Sequence, residues 1–123
     1  MMELAEPTQA VEHLLNGLTP DPIETISEWA DQHMVLPSWN SESGRWRTSR
    51  TPYLREIMDV LSPGSPVREI VFMKPAQIGG TEAGKNWVGF TIHRAPSTML
   101  LVEPSLDLAG KLSKQKIQPM LDL

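Results

Sequence analysis

The chain has 123 residues, 40% hydrophobic and 21% charged, which excludes a disordered polymer and bounds it to one modest domain. Lys and Arg number 11 against 15 Asp and Glu, so the net charge is −4 and no chain-wide basic field grips nucleic acid; only a local patch stays open. Cysteine is absent, which rules out disulfides and thiolate metal sites.

The opening residues, MMELAEPTQAVEH, have neither the basic region nor the apolar core of a secretory signal. No apolar run approaches the ~20 residues that span a bilayer. No membrane contact and a cytosolic location are expected. Residues 1–22 carry a short apolar stripe, Val11, Leu14, Leu15 and Leu18, and predict a weak helix ended by Gly17 and Pro20, or a mobile leader. Asp21-Pro22 has the form of a cap followed by proline at the first helical position, and Ile23, Ile26, Trp29 and Ala30 recur at helical spacing. A helix is expected over about 22–33. Residues 34–50 hold turn formers without a sustained period and predict a loop. Thr51-Pro52 repeats the cap signal, and Leu54, Ile57, Met58 and Leu61 share one face of a helix running to about Leu61. Ser62-Pro-Gly-Ser-Pro66 breaks it.

Val67–Met73 alternates and then turns apolar, as a buried strand does. Thr81–His93 is helix-like but weakened by Gly84 and Gly89. Thr98–Val102 predicts a second strand, and Pro104-Ser105 opens a final helix along which Leu106, Ala109, Leu112, Ile117 and Leu121 are spaced. Strand, loop, helix, strand, helix is the grammar of a parallel, three-layer α/β fold. The division expected is a leader (1–22), a helical N-terminal segment (23–66) and the first βαβα part of an α/β domain (67–123).

Between the first strand and its helix lies Lys74-Pro-Ala-Gln-Ile-Gly-Gly-Thr81. It has the spacing of the phosphate-binding loop G-x-x-x-x-G-K-[ST], with Lys74 at the first glycine and Gly80 at the lysine. Such a loop needs bare backbone N–H groups, one cation and one hydroxyl. All three are present in a different order. Gly79 and Gly80 let the backbone curl round a phosphate, and the helix that follows favours an anion at its start. The Thr81 hydroxyl is where a magnesium ligand belongs, and Lys74 is a mobile point charge for the β- and γ-phosphates. The plain alternative is a Gly-Gly turn with Lys74 in solvent.

Four blocks in order, ISEWAD (26–31), GRWRTSRTPYLREIMD (44–59), VREIVFMKPAQIGGTEAGKNWVGF (67–90) and LVEPSLDLAGKLSKQKIQPML (101–121), resemble the large terminase subunit of tailed bacteriophages, the GpA-type DNA-packaging ATPase. That family carries a deviant phosphate loop with its basic residue at the front, the position of Lys74. The resemblance implies a partial P-loop NTPase domain, an incomplete one, behind an α-helical N-terminal segment. It implies that Lys74, Gln77, Gly79, Gly80 and Thr81 hold ATP and Mg²⁺, with Lys74 also the catalytic cation, and that Tyr53 lies near the adenine. Arg45, Arg47 and Arg50 become candidate contacts to nucleotide phosphate or DNA. The whole family member packages viral DNA by ATP-driven translocation and cuts concatemers with a C-terminal nuclease. Its expected partners are double-stranded DNA, the small terminase subunit and the portal of the procapsid, in the bacterial host cytoplasm, with oligomers formed by the full-length protein.

These 123 residues hold no acidic Walker B pair and no catalytic glutamate. Met99–Glu103 imitates Walker B, but its single acid is followed by Pro104 and comes too soon after the loop. The expectation is therefore an N-terminal fragment that binds nucleotide without significant turnover. In related sheets the first two strands are not neighbours, so unpaired edges and a marginal fold are expected too. The alternative is a non-catalytic module, a prophage remnant that docks a partner through its Trp-rich half. Trp29, Trp39, Trp46 and Trp87 suit packing better than base stacking. Arg45, Arg47 and Arg50 with Trp46 form the one basic-aromatic cluster, and Lys111, Lys114 and Lys116 suit a helix C-terminus. His13, His33 and His93 lack ligand spacing, and Glu82 reads as an acid at a helix start.

Overall fold

The computed structural model describes residues 7–122. Six α-helices follow one another: α1 (Pro7–Leu18), α2 (Ile26–His33), α3 (Tyr53–Val60), α4 (Gly80–His93), α5 (Leu106–Lys111) and α6 (Gln118–Leu121). Two short strands, β1 (Val35–Leu36) and β2 (Gly44–Arg45), pair antiparallel in the register Val35↔Arg45 and Leu36↔Gly44. They form the sheet among the described residues.

Helix α2 starts four residues later than the Asp21-Pro22 signal suggests, because a better cap lies downstream. The Thr25 hydroxyl accepts from the Glu28 N–H (3.4 Å) while the Glu28 carboxylate accepts from the Thr25 N–H (2.9 Å). Two orphan donors of the first turn are satisfied reciprocally. Asp21 and Glu24 instead reach Arg94 at the end of α4, at 3.4 and 2.7 Å. Helix α3 begins at Tyr53, with Pro52 already in helical conformation and its fixed φ suited to that place.

The core is where α2, α3 and α4 meet. Ile26, Leu54 and Met58 are fully buried, and Trp29, Ala30, Met34, Trp46, Ala83 and Phe90 close round them. Each large side chain buried there contributes about 1.5–3 kcal/mol. Polar bonds fix the angles between helices. The Ile26 and Ser27 N–H groups donate to the Ser62 hydroxyl (3.0 Å) and the Asp59 carboxylate (3.3 Å), and the Trp29 indole N–H donates to His93 Nδ1 at 2.9 Å. Gly89 has a packing reason: a Cβ there would lie 2.6 Å from Trp29 Cη2. Trp29 and Trp46 thus take the packing role expected of them, whereas Trp39 and Trp87 are exposed. Helix α1 has its apolar stripe in solvent and no buried residue.

Two expectations about the sheet are corrected. Residues 34–50 are not all loop: they contain the hairpin and a 3₁₀ turn at Thr48–Arg50. Val67–Met73 and Thr98–Val102 form no ladder among the described residues, which show the two-stranded antiparallel sheet and not a parallel three-layer one. A strand exists only with a partner edge, and these two segments do not pair with each other. The first still alternates like a strand. Ile70 and Phe72 turn inward, with Phe72 on the core, while Val71 and Met73 are 85% and 94% exposed.

The final helix is also not uniform. Between α5 and α6, Leu112–Ile117 is π-helical, and the Gln118 N–H reaches the Ser113 carbonyl five residues back. Pro119 has no N–H to give and its ring needs room over the preceding turn. A widened turn supplies that room.

Candidate functional site

The loop leaves Met73 as extended chain and ends where α4 begins, with the Ala83 N–H on the Gly79 carbonyl at 2.9 Å. Gly79 is left-handed, φ 86°, and Gln77 is too, φ 59°. Left-handed backbone costs a side chain about 1–2 kcal/mol, so Gln77 stores strain at this turn and glycine suits position 79. Left-handed residues interleaved in a turn curl the chain into the concavity, or nest, that receives anions. Below Gly79 is the core itself: a Cβ built there would touch Leu54 Cδ1 at 3.0 Å.

Lys74 is folded back over the start of α4. A Cβ on Gly80 would meet Lys74 Cε at 2.4 Å, Cδ at 2.5 Å and Nζ at 3.3 Å. The ammonium of the relocated lysine thus lies at the helix start, near where a lysine at position 80 would begin. Tyr53, from the first turn of α3, braces the loop from outside. Its hydroxyl donates to the Ile78 carbonyl at 2.8 Å.

The loop forms one wall of an open cleft of about 610 Å³. Lys74, Gln77, Ile78, Gly79, Gly80, Thr81 and Glu82 line that wall; Leu36 and Trp39–Glu42 of the hairpin line another, and Lys116 of the π-helical segment completes it. The volume falls within the range of small-molecule sites. Two lysines, a helix N-terminus and a hydroxyl border one space, and its two carboxylates, Glu42 and Glu82, are already paired with Arg50 and Lys85. That arrangement suits a polyanion.

Five of the expected site residues, Lys74, Gln77, Gly79, Gly80 and Thr81, are thus brought together. Tyr53 touches the loop but does not line the cleft. Nor do the three arginines. Arg45 donates to the Gln32 carbonyl at 2.8 Å and Arg50 pairs with Glu42 at 2.6 Å, so both serve the hairpin; the Arg47 side chain makes no hydrogen bond or ion pair among the described residues. Glu82 pairs with Lys85 at 2.9 Å. Lys85 is almost wholly buried, and its charge requires that carboxylate, which leaves Glu82 a structural acid. Sequence reasoning missed Trp39 and Lys116 as cleft residues. Neither has a local motif: Trp39 sits in a hairpin turn with no sequence period, and the phase of Lys116 depends on the π-helical turn.

Among the described residues no group of three or more His, Cys, Asp or Glu is placed to hold a metal. No helix is long and apolar enough to cross a membrane. Residues 40–123, more than half of the chain, match the family model for the phage terminase large subunit gpA, ATPase domain. Comparison with curated proteins and with solved structures gives no match.

Proposed function

The chain belongs to the family of phage terminase large subunit gpA ATPase domains, and from that premise we propose that its cleft binds the triphosphate of ATP. The observation that carries the reading is the lie of Lys74 across Gly80 at the N-terminus of α4. It brings the cation, the left-handed glycine turn and the Thr81 hydroxyl to one wall of the cleft. Lys74 neutralises charge on the β- and γ-phosphates, the loop N–H groups hold the phosphate oxygens, and Gln77 supplies a polar contact beside them. Mg²⁺ enters with the nucleotide. Thr81 offers it one oxygen ligand, and phosphate oxygens and water supply the rest, as this hard cation prefers.

The fold proposed for the complete ATPase domain is the parallel three-layer sheet of a P-loop NTPase. Val67–Met73 supports it, with one face on the core and the other bare. That is the state of a strand whose second covering layer and edge partners lie elsewhere. The wider activity rests on family membership alone: translocation of double-stranded DNA into a procapsid with the small subunit and portal, in the host cytoplasm, and cleavage by a nuclease.

Calorimetric titration with ATP and ADP, with and without Mg²⁺, tests the reading. Wild type should bind triphosphate more tightly than diphosphate, and more tightly with Mg²⁺. Lys74→Ala should lose affinity about 10- to 150-fold, the worth of a charge-assisted contact. Thr81→Ala should lose the Mg²⁺ dependence. No Walker B pair is present in these residues, so turnover should be negligible. Robust hydrolysis that disappears in Lys74→Ala would overturn this last point, and absence of binding would overturn the reading.

A further inference from the structure

We propose that Trp39 is the platform on which the base of the bound nucleotide stacks; the proposal rests on the nucleotide reading of the cleft. Tyr53 was the aromatic residue expected on the adenine side. Its hydroxyl is engaged by the Ile78 carbonyl, and its ring is not part of the cleft wall. Trp39 is the aromatic side chain that lines the cleft together with the phosphate loop.

Three observations carry the assignment. First, Trp39 is 69% exposed, whereas Trp29 and Trp46 are buried in the core, so packing does not account for it. Second, its position is held. The Asn40 N–H closes the turn onto the Pro37 carbonyl at 3.1 Å, and Glu42 anchors the other side of the tip to Arg50. At the base of the hairpin the Trp46 N–H donates to the Met34 carbonyl at 2.9 Å, with both side chains in the core. A turn already fixed by such bonds loses little backbone entropy when its side chain meets a ligand. Third, Trp39 also borders a smaller hollow with Gln115, Lys116 and Pro119. That hollow shares Trp39 and Lys116 with the cleft, so the indole borders space on both sides of it, next to where a base would lie once the triphosphate is seated on the loop.

Stacking on an aromatic face is tolerant of base identity because every base has a π-face. The platform therefore adds affinity for a nucleoside triphosphate over inorganic triphosphate without selecting sharply between ATP and GTP.

The test is a pair of titrations, MgATP and magnesium tripolyphosphate, on the full 123-residue chain and its variants. Trp39→Ala should weaken ATP by about 5- to 150-fold, the range of one lost stacking contact, and leave tripolyphosphate unchanged. Trp39→Phe should retain most of the ATP affinity. Lys74→Ala should weaken both ligands. An exposed Trp39 can be changed without disturbing the core, and far-UV circular dichroism checks this. If ATP binds and Lys74→Ala weakens it, but Trp39→Ala either leaves ATP unchanged or weakens both ligands equally, Trp39 is not the platform and the nucleotide reading stands. If wild type binds neither ligand, the nucleotide reading falls and takes the platform with it.

Discussion

The Lys74 side chain runs through the space that a Cβ on Gly80 would need: such a Cβ would lie 2.4 Å from Lys74 Cε. This explains the inverted order of the loop. A lysine at the front can reach the helix start only if the residue there has no side chain. Gly80→Ala should displace Lys74 and weaken MgATP about 10-fold or more, close to the loss in Lys74→Ala. Because both act through one cation, the double variant should be little worse than either single. Additive losses in the double-mutant cycle would show that the two residues are independent.

Gly79 carries a second constraint. Its φ of 86° and the nearby Leu54 Cδ1 both oppose a side chain. Gly79→Ala should destabilise the loop by about 1–2 kcal/mol. Hydrogen exchange should show faster opening over the loop and the first turn of α4, with α2 and α3 unaffected. Unchanged protection would mean that the loop relaxes freely.

The Tyr53 hydroxyl bond to Ile78 makes a separable claim. Tyr53→Phe keeps the ring and removes one hydrogen bond worth about 0.5–1.5 kcal/mol. ATP and tripolyphosphate affinities should fall together, by no more than about 10-fold, since the loop rather than a base contact is loosened. A loss confined to ATP would return Tyr53 to the adenine side.

The bare face of Val67–Met73 and the exposed Leu100 and Val102 predict behaviour in solution. Unpartnered edges and apolar surface attract dyes and other chains. The isolated chain should bind a hydrophobic dye and melt over a broad range. The double variant Val71→Thr/Leu100→Thr should reduce dye binding and aggregation without affecting the cleft. A sharp, reversible melt with no dye signal would contradict this.

The local signals were legible because they depend on neighbours in the chain. Helical spacing placed α2, α3 and α4 to within a few residues, and the Lys74–Thr81 pattern marked the loop from spacing alone. Where two local signals competed, the structure chose. The Thr25–Glu28 box satisfied more of the first turn than Asp21-Pro22, and Asp21 was freed to meet Arg94. The hairpin at Val35–Arg45 was missed because two-residue strands leave no alternation to read.

By itself the sequence marked the loop and its helix, which follow from glycines, one lysine and one threonine at set intervals, while the family was legible from four blocks of residues in order. Tertiary structure alone decided what that loop faces. Trp39 and Lys116 reach the cleft through a hairpin and a π-helical turn far away in the chain, while Arg45 and Arg50 are drawn off to brace the hairpin. It decided the sheet as well. Apolar alternation makes a segment ready to be a strand, but the backbone hydrogen bonds that make it one must come from another edge, and spacing along a single segment carries no information about that edge.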